Sequence, residues 1–235
     1  MKGWSRRWGA SAAFLLLAGA LFYFVLYYPA DQTALGALSP DADIQIGRTD
    51  YGWYFDGPGE DSALIFYPGA KVEETAYAPL LRRIASGGTD VFLVRAPLHF
   101  ALLCTNVAEE IQSRYDYPNW YIGGHSLGGI AAEYFVEKHP GSVRGVIFCA
   151  SYPTRQMDDG LKAVMIYGTN DNVVNMASVE MGTKLSPAMT VYVIEGGNHA
   201  QFGNYGYQRG DGEATISAEE QQKQAADEIL SVMAG

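Results

Sequence analysis

The chain has 235 residues, 48% hydrophobic and 18% charged, which suits one substantial globular domain or two small ones and argues against disorder. Its formal net charge of −10 is unevenly placed: residues 1–29 hold Lys2, Arg6 and Arg7 and no acid, leaving 13 bases against 26 acids, −13, in the remainder. So acidic a body argues against nucleic acid or an anionic membrane surface as a partner.

Residues 9–28 contain no charged side chain and are rich in Leu, Ala and Phe. As a helix they would be about 30 Å long, the thickness of a bilayer's hydrocarbon core. Lys2, Arg6 and Arg7 precede the stretch, and Trp4, Trp8, Tyr23, Tyr27 and Tyr28 lie near its ends. This pattern predicts a single transmembrane helix over residues 9–28, within an anchor segment 1–29, with its basic end in the cytoplasm and the rest of the chain outside it. The competing reading is a cleaved signal peptide with secretion, for which Ala34-Leu35-Gly36-Ala37 is a weak, distant cleavage site.

Residues 30–49 read as a linker, and residues 50–235 as one α/β domain. Tyr51-Gly52-Trp53-Tyr54-Phe55-Asp56 is expected to be one strand of an edge hairpin that turns at Gly57-Pro58-Gly59-Glu60-Asp61. Strands are expected at residues 63–67, 91–94, 121–122, 143–150, 163–167 and 190–194. Helices are expected between and after them, at 73–85, 98–114, 130–138, 174–185 and 217–233. Apolar strands alternating with helices imply a mostly parallel sheet covered on both faces. The two cysteines, Cys104 and Cys149, lack CxxC spacing, so metal and redox-motif readings are poor. They are expected to be buried free thiols, a disulfide being the alternative outside the cytoplasm.

The short strand at 121–122 runs into Gly124-His125-Ser126-Leu127-Gly128, and a helix follows. A G-x-S-x-G sequence alone is weak evidence. Between a strand and a helix it predicts a sharp turn that lifts the serine hydroxyl above the sheet edge, with glycines where side chains would collide. Ser126 then needs an imidazole to take its proton and an acid to orient that imidazole. Of the four histidines, His125 points away from its neighbour at such a turn and His139 stops a helix at Pro140. His199 follows the last strand in Glu195-Gly196-Gly197-Asn198-His199, at the carboxyl edge where ligand groups gather in open α/β sheets. Asp171, just past the strand at 163–167, is the only carboxylate of its loop. Asp158 and Asp159 precede that strand, at the wrong edge.

Each residue has a bland reading. Gly-flanked serines are usually loop residues, Asp171 could cap a helix, and His199 could sit in a turn. Three in the order Ser126, Asp171, His199, each just past a predicted strand, support a nucleophile, an orienting acid and a general base. The oxyanion donors expected are the backbone N–H groups of Leu127 and Ala70. Lys71 and His99 are possible pocket residues, and Phe202 and Tyr205 are expected to wall the pocket from the loop at 200–212. No metal or organic cofactor and no protein partner is implied.

Gly124-His125-Ser126-Leu127-Gly128-Gly129 resembles the elbow of esterases, lipases and thioesterases of the α/β-hydrolase superfamily, a likeness spanning residues 50–235. Where many relatives carry His-Gly, this chain has Pro68-Gly69. Tyr67-Pro68-Gly69-Ala70-Lys71-Val72 and the stretch from Gly197-Asn198-His199 to Gln208 are similar to those of small bacterial α/β-hydrolases, often membrane-anchored. The resemblance implies the α/β-hydrolase fold, and the connection at 151–162 is too short for the lid domain of many relatives. The kinship implies a hydrolase and names no substrate; with the three residues in order, the first reading is a serine hydrolase acting on carboxylic esters through an acyl-enzyme. A thioesterase, amidase or peptidase with the same triad is the alternative, and a tethered non-catalytic binding module is a second class.

Overall fold

The structure is a computed structural model and describes residues 26–158 and 160–234. The strands are β1 (Gln45–Thr49), β2 (Gly52–Asp56), β3 (Ser62–Tyr67), β4 (Asp90–Val94), β5 (Asn119–His125), β6 (Gly145–Cys149), β7 (Lys162–Gly168) and β8 (Thr190–Ile194). They form one sheet in the order β1-β2-β4-β3-β5-β6-β7-β8, antiparallel from β1 to β4 and parallel from β4 to β8. The helices are α1 (Gln32–Gly36), α2 (Ala78–Ser86), α3 (Val107–Arg114), α4 (Leu127–Lys138), α5 (Met176–Leu185) and α6 (Ala218–Ala234).

The strand alternation divides the core in two. From β3, Leu64 and Phe66 join Leu80, Leu81 and Ile84 of α2 and Ala225 and Ile229 of α6 on one face. Ala63, Ile65 and Tyr67 join Ile111 of α3, Ala131 and Phe135 of α4 and Val179 of α5 on the other. Burial on both faces explains why the central strands read as unbroken apolar runs. Cys149 and Cys104 pack against opposite clusters, and both thiols are free.

The edge hairpin differs from expectation. β2 pairs with β1, which precedes it, and Thr49 faces Gly52 across a turn at Asp50 and Tyr51. Residues 57–61 do not return the chain to a neighbour of β2. They carry it past β4 to β3, and the Gly57 N–H is held by Asp90 Oδ1 at 2.8 Å. The expected linker therefore holds β1 and α1, and it packs on the domain. Arg82 of α2 donates to the carbonyls of Ala37 and Ser39, and it pairs with Asp41. The helix expected at 98–114 is also shorter: two 3₁₀ turns, Pro97–His99 and Ala101–Leu103, precede α3. Leu98 and His99 have φ of 54° and 53°, values a continuous helix cannot contain.

The expected transmembrane helix lies almost wholly outside the described residues, of which it contributes only Leu26 to Tyr28. Among the described residues no helix is long and apolar enough to cross a membrane. Tyr28 docks beside the loop after β3, donating its N–H to Lys71 O at 2.6 Å and accepting from Glu73 N–H at 3.0 Å.

Candidate active site

β5 passes into α4 through one residue. Ser126 takes φ 53° and ψ −120°, a conformation that strains a residue with a side chain. Its N–H donates to Cys149 O of β6 at 2.9 Å, and its carbonyl accepts from Gly129 N–H at 3.1 Å. A Cβ on Gly124 would lie 2.4 Å from the Gly128 carbonyl carbon, and one on Gly128 would lie 2.2 Å from Tyr67 O. These glycines let the end of β3 approach the first turn of α4. Ala70 therefore sits, half-buried, in the loop beside the elbow. Leu127 is the first residue of α4, so its N–H is among those without an intrahelical acceptor.

His199 and Asp171 come together as their strand ends suggest. His199 Nδ1 lies 2.9 Å from Asp171 Oδ2, and both side chains are buried. The other carboxylate oxygen, Oδ1, accepts the N–H groups of Val173 and Val174, each at 2.8 Å. This fixes the acid on its loop, while the N-cap of α5 is Asn175. His199 Nε2 is buried and hydrogen-bonds to no protein group. His199 and Ser126 line one crevice of about 190 Å³, whose other walls include Leu127, Ile130, Ser151 and Val174.

Three devices around this site escape any reading of the sequence. Asp211 is buried and accepts the N–H groups of His199 and Ala200, at 3.2 and 2.8 Å. Gln221 of α6, fully buried, clamps Asn198 by accepting its N–H at 2.9 Å and donating to its carbonyl at 2.7 Å. His125 points into the core behind the elbow. Its Nε2 lies 3.0 Å from His199 O, a pure acceptor, so Nε2 carries the proton. Nδ1 then accepts from Tyr77 OH at 2.8 Å, and the Tyr77 oxygen accepts from Gly69 N–H at 3.0 Å. One chain of hydrogen bonds thus links the loops after β3, β5 and β8. Burial, and then the neighbouring His199, hold His125 well below the usual imidazole value, which keeps it neutral. In the sequence Tyr77 is only one position of the helix expected at 73–85, and Asp211 carries no spacing signal at all.

The remaining expected pocket residues lie elsewhere. Phe202 and Tyr205 do not wall the crevice. They fill the core behind His125, with ring centroids 5.7 and 6.5 Å from it. Their loop is tied down by Asn204, whose N–H donates to Ala76 O and whose carbonyl accepts from Asp31 N–H. Tyr207 is the aromatic of that loop left outside. His99 borders a separate groove of about 700 Å³, with Tyr27 stacked on its ring at 4.1 Å. Lys71 has φ 62° and donates its N–H to His99 O, and neither residue lines the crevice at Ser126.

Residues 63–223 match the model of the α/β-hydrolase family, so the chain belongs to that family. A comparison with curated protein sequences finds no match. Among solved structures, the chain is similar to the dienelactone hydrolase of Anabaena variabilis, at 12% identity and a TM-score of 0.60 over 79% of this chain and 96% of that one. Carboxylesterase CesB of Bacillus subtilis is 12% identical, with a TM-score of 0.56 over 90% of this chain and 97% of that one. TT1662 of Thermus thermophilus is 16% identical, with a TM-score of 0.59 over 82% and 97%. At these identities the likeness is one of fold. The family is a hydrolase family, and this chain is a hydrolase of the α/β fold with esterase-like neighbours.

Proposed function

We propose that the protein is a serine hydrolase that cleaves small carboxylic esters through an acyl-enzyme. The observation that carries this reading is His199, held by Asp171 at Nδ1, with Nε2 unpaired within the protein, on the crevice that the strained Ser126 also lines. Nε2 takes the proton of Ser126 Oγ as the oxygen adds to the ester carbonyl, and then gives it to the departing alcohol. Water repeats the sequence in reverse, releasing the acid and freeing Ser126. Asp171 keeps the proton of His199 on Nδ1 and stabilises the imidazolium. The backbone N–H groups of Leu127 and Ala70 receive the oxyanion. The Ser126–His199 hydrogen bond is not made among the described residues, and such bonds commonly close only when substrate enters.

Ser126→Ala is expected to abolish turnover of short p-nitrophenyl esters and labelling by a fluorophosphonate probe. Undiminished turnover by that variant refutes the assignment. A parallel panel of thioesters and peptides reports whether another acyl class is preferred, since the triad does not fix it.

The uncharged run at residues 9–28 supports a further part of the reading: a single transmembrane anchor with the hydrolase domain outside the cytoplasm. Full-length protein should be recovered in the membrane fraction, and a shortened soluble form would overturn the anchor.

A further inference from the structure

Ser151 is a second serine in the crevice, and the triad does not use it. It follows β6 by two residues, is 3% exposed, and its Oγ is buried with no hydrogen-bond partner. It lines the same crevice as Ser126 and His199. The preceding residue, Ala150, has φ 45°, a left-handed conformation unfavourable for alanine, and its N–H is fixed by Ile166 O at 2.7 Å. On the facing helix, Gly129 makes room: a Cβ there would lie 2.5 Å from Ser151 Oγ. Strained backbone and a bare glycine thus surround a hydroxyl that satisfies nothing in the protein. Alanine at 151 would fill almost the same space without a buried unpaired oxygen, which is costly. A polar group entering the crevice that Ser151 lines would supply the missing partner.

Sheet order says which part of a substrate that is. β3 and β6 flank β5 on opposite sides. The loop with Ala70 approaches Ser126 from the β3 side and Ser151 from the β6 side, so Ser151 is no third oxyanion donor. It meets a substituent instead. The crevice, about 190 Å³, is smaller than the 300–1,000 Å³ usual for drug-sized ligands, and Leu127, Ile130 and Val174 make much of its wall apolar. Such a space suits the short part of the ester that stays on Ser126 while the alcohol leaves.

We propose that Ser151 is a specificity-determining residue, and that the substrates are esters of short acids with a hydroxyl near the carboxyl group, bonded to Ser151 Oγ. A hydroxyl can donate or accept, so it meets a serine in either sense. The proposal rests on the acyl-enzyme reading above.

The test compares 4-methylumbelliferyl butyrate with both enantiomers of the 3-hydroxybutyrate ester. The wild-type protein should prefer one hydroxylated enantiomer over butyrate by roughly 10–100-fold in kcat/KM. Ser151→Ala should bring the two within about threefold. It should also unfold at an equal or higher temperature than wild type, because it removes an orphaned hydroxyl. Ser151→Cys, nearly isosteric with a weak donor, should lose most of the preference if the alanine variant folds poorly. Equal turnover of the esters by wild type, or a preference that survives both substitutions, overturns the role of Ser151 and leaves the triad standing. Turnover of neither ester, or turnover that persists in Ser126→Ala, overturns the parent reading and this proposal with it.

Discussion

Tyr77→Phe isolates the hydrogen-bond chain behind the elbow. The ring stays, so the packing of Tyr77 against Phe66, at 5.4 Å between centroids, is kept. Only the hydroxyl is lost, and with it the acceptor for Gly69 N–H and the donor to His125 Nδ1, both buried. His125 cannot compensate by moving its proton, because His199 O needs Nε2–H. Each orphaned group costs about 1–3 kcal/mol, so the variant should lose about 2–6 kcal/mol of stability. That is a large share of the 5–15 kcal/mol typical of a domain, and corresponds to a Tm roughly 5–20 °C lower. Urea unfolding followed by tryptophan fluorescence at pH 7.5 measures it. Tyr205→Phe is the control: it removes one bond, to Gln208 at 3.0 Å, and should cost under about 1.5 kcal/mol. A loss below about 0.5 kcal/mol for Tyr77→Phe would show that the chain contributes nothing to the fold.

Two further outcomes are expected. His125 is held below its ordinary value in the folded protein, so the unfolded chain takes up its proton first as pH falls. The stability from this group is complete above about pH 6.5 and declines below it, by up to about 1.4 kcal/mol per pH unit. An NMR titration in which the His125 ring moves with a midpoint near 6.5 would contradict this. Asp171→Asn keeps the shape of the acid but removes the charge that holds the Nδ1 proton of His199. It should lower kcat for ester hydrolysis by on the order of 10³–10⁴, and a fall of less than tenfold would exclude the assigned role.

The parts of the molecule legible in the sequence are those where local pattern and burial agree. Residues 63–67 form a strand with helices on both faces, so every position is apolar and the run stands out. Asp171 lies just past such a run, whereas His199 follows the mostly exposed β8, and the structure brings these two together. β1 was missed for the opposite reason. Gln45-Ile46-Gly47-Arg48-Thr49 is a mostly exposed edge strand, with no apolar stripe to betray it. The turn at Asp50 and Tyr51 then hid inside the aromatic run that follows. Leu98, Leu102 and Leu103 mimic a helical stripe, yet all three are exposed on 3₁₀ turns. Phe202 and Tyr205 were assigned to a pocket because they follow His199, but two large rings gain more in the core. Asp211 and Gln221 act on backbone groups distant in sequence, and nothing local records such partners.

The links from Gly69 through Tyr77 and His125 to His199 have a kinetic consequence. Gly69, Tyr77, His125 and His199 are each a partner of the next, so these segments are expected to be protected from hydrogen exchange together. The connection from β6 to β7, residues 150–161, is too short to fold a covering domain over it. Under the acyl-enzyme reading, products are expected to leave the crevice without a covering domain on that connection having to open.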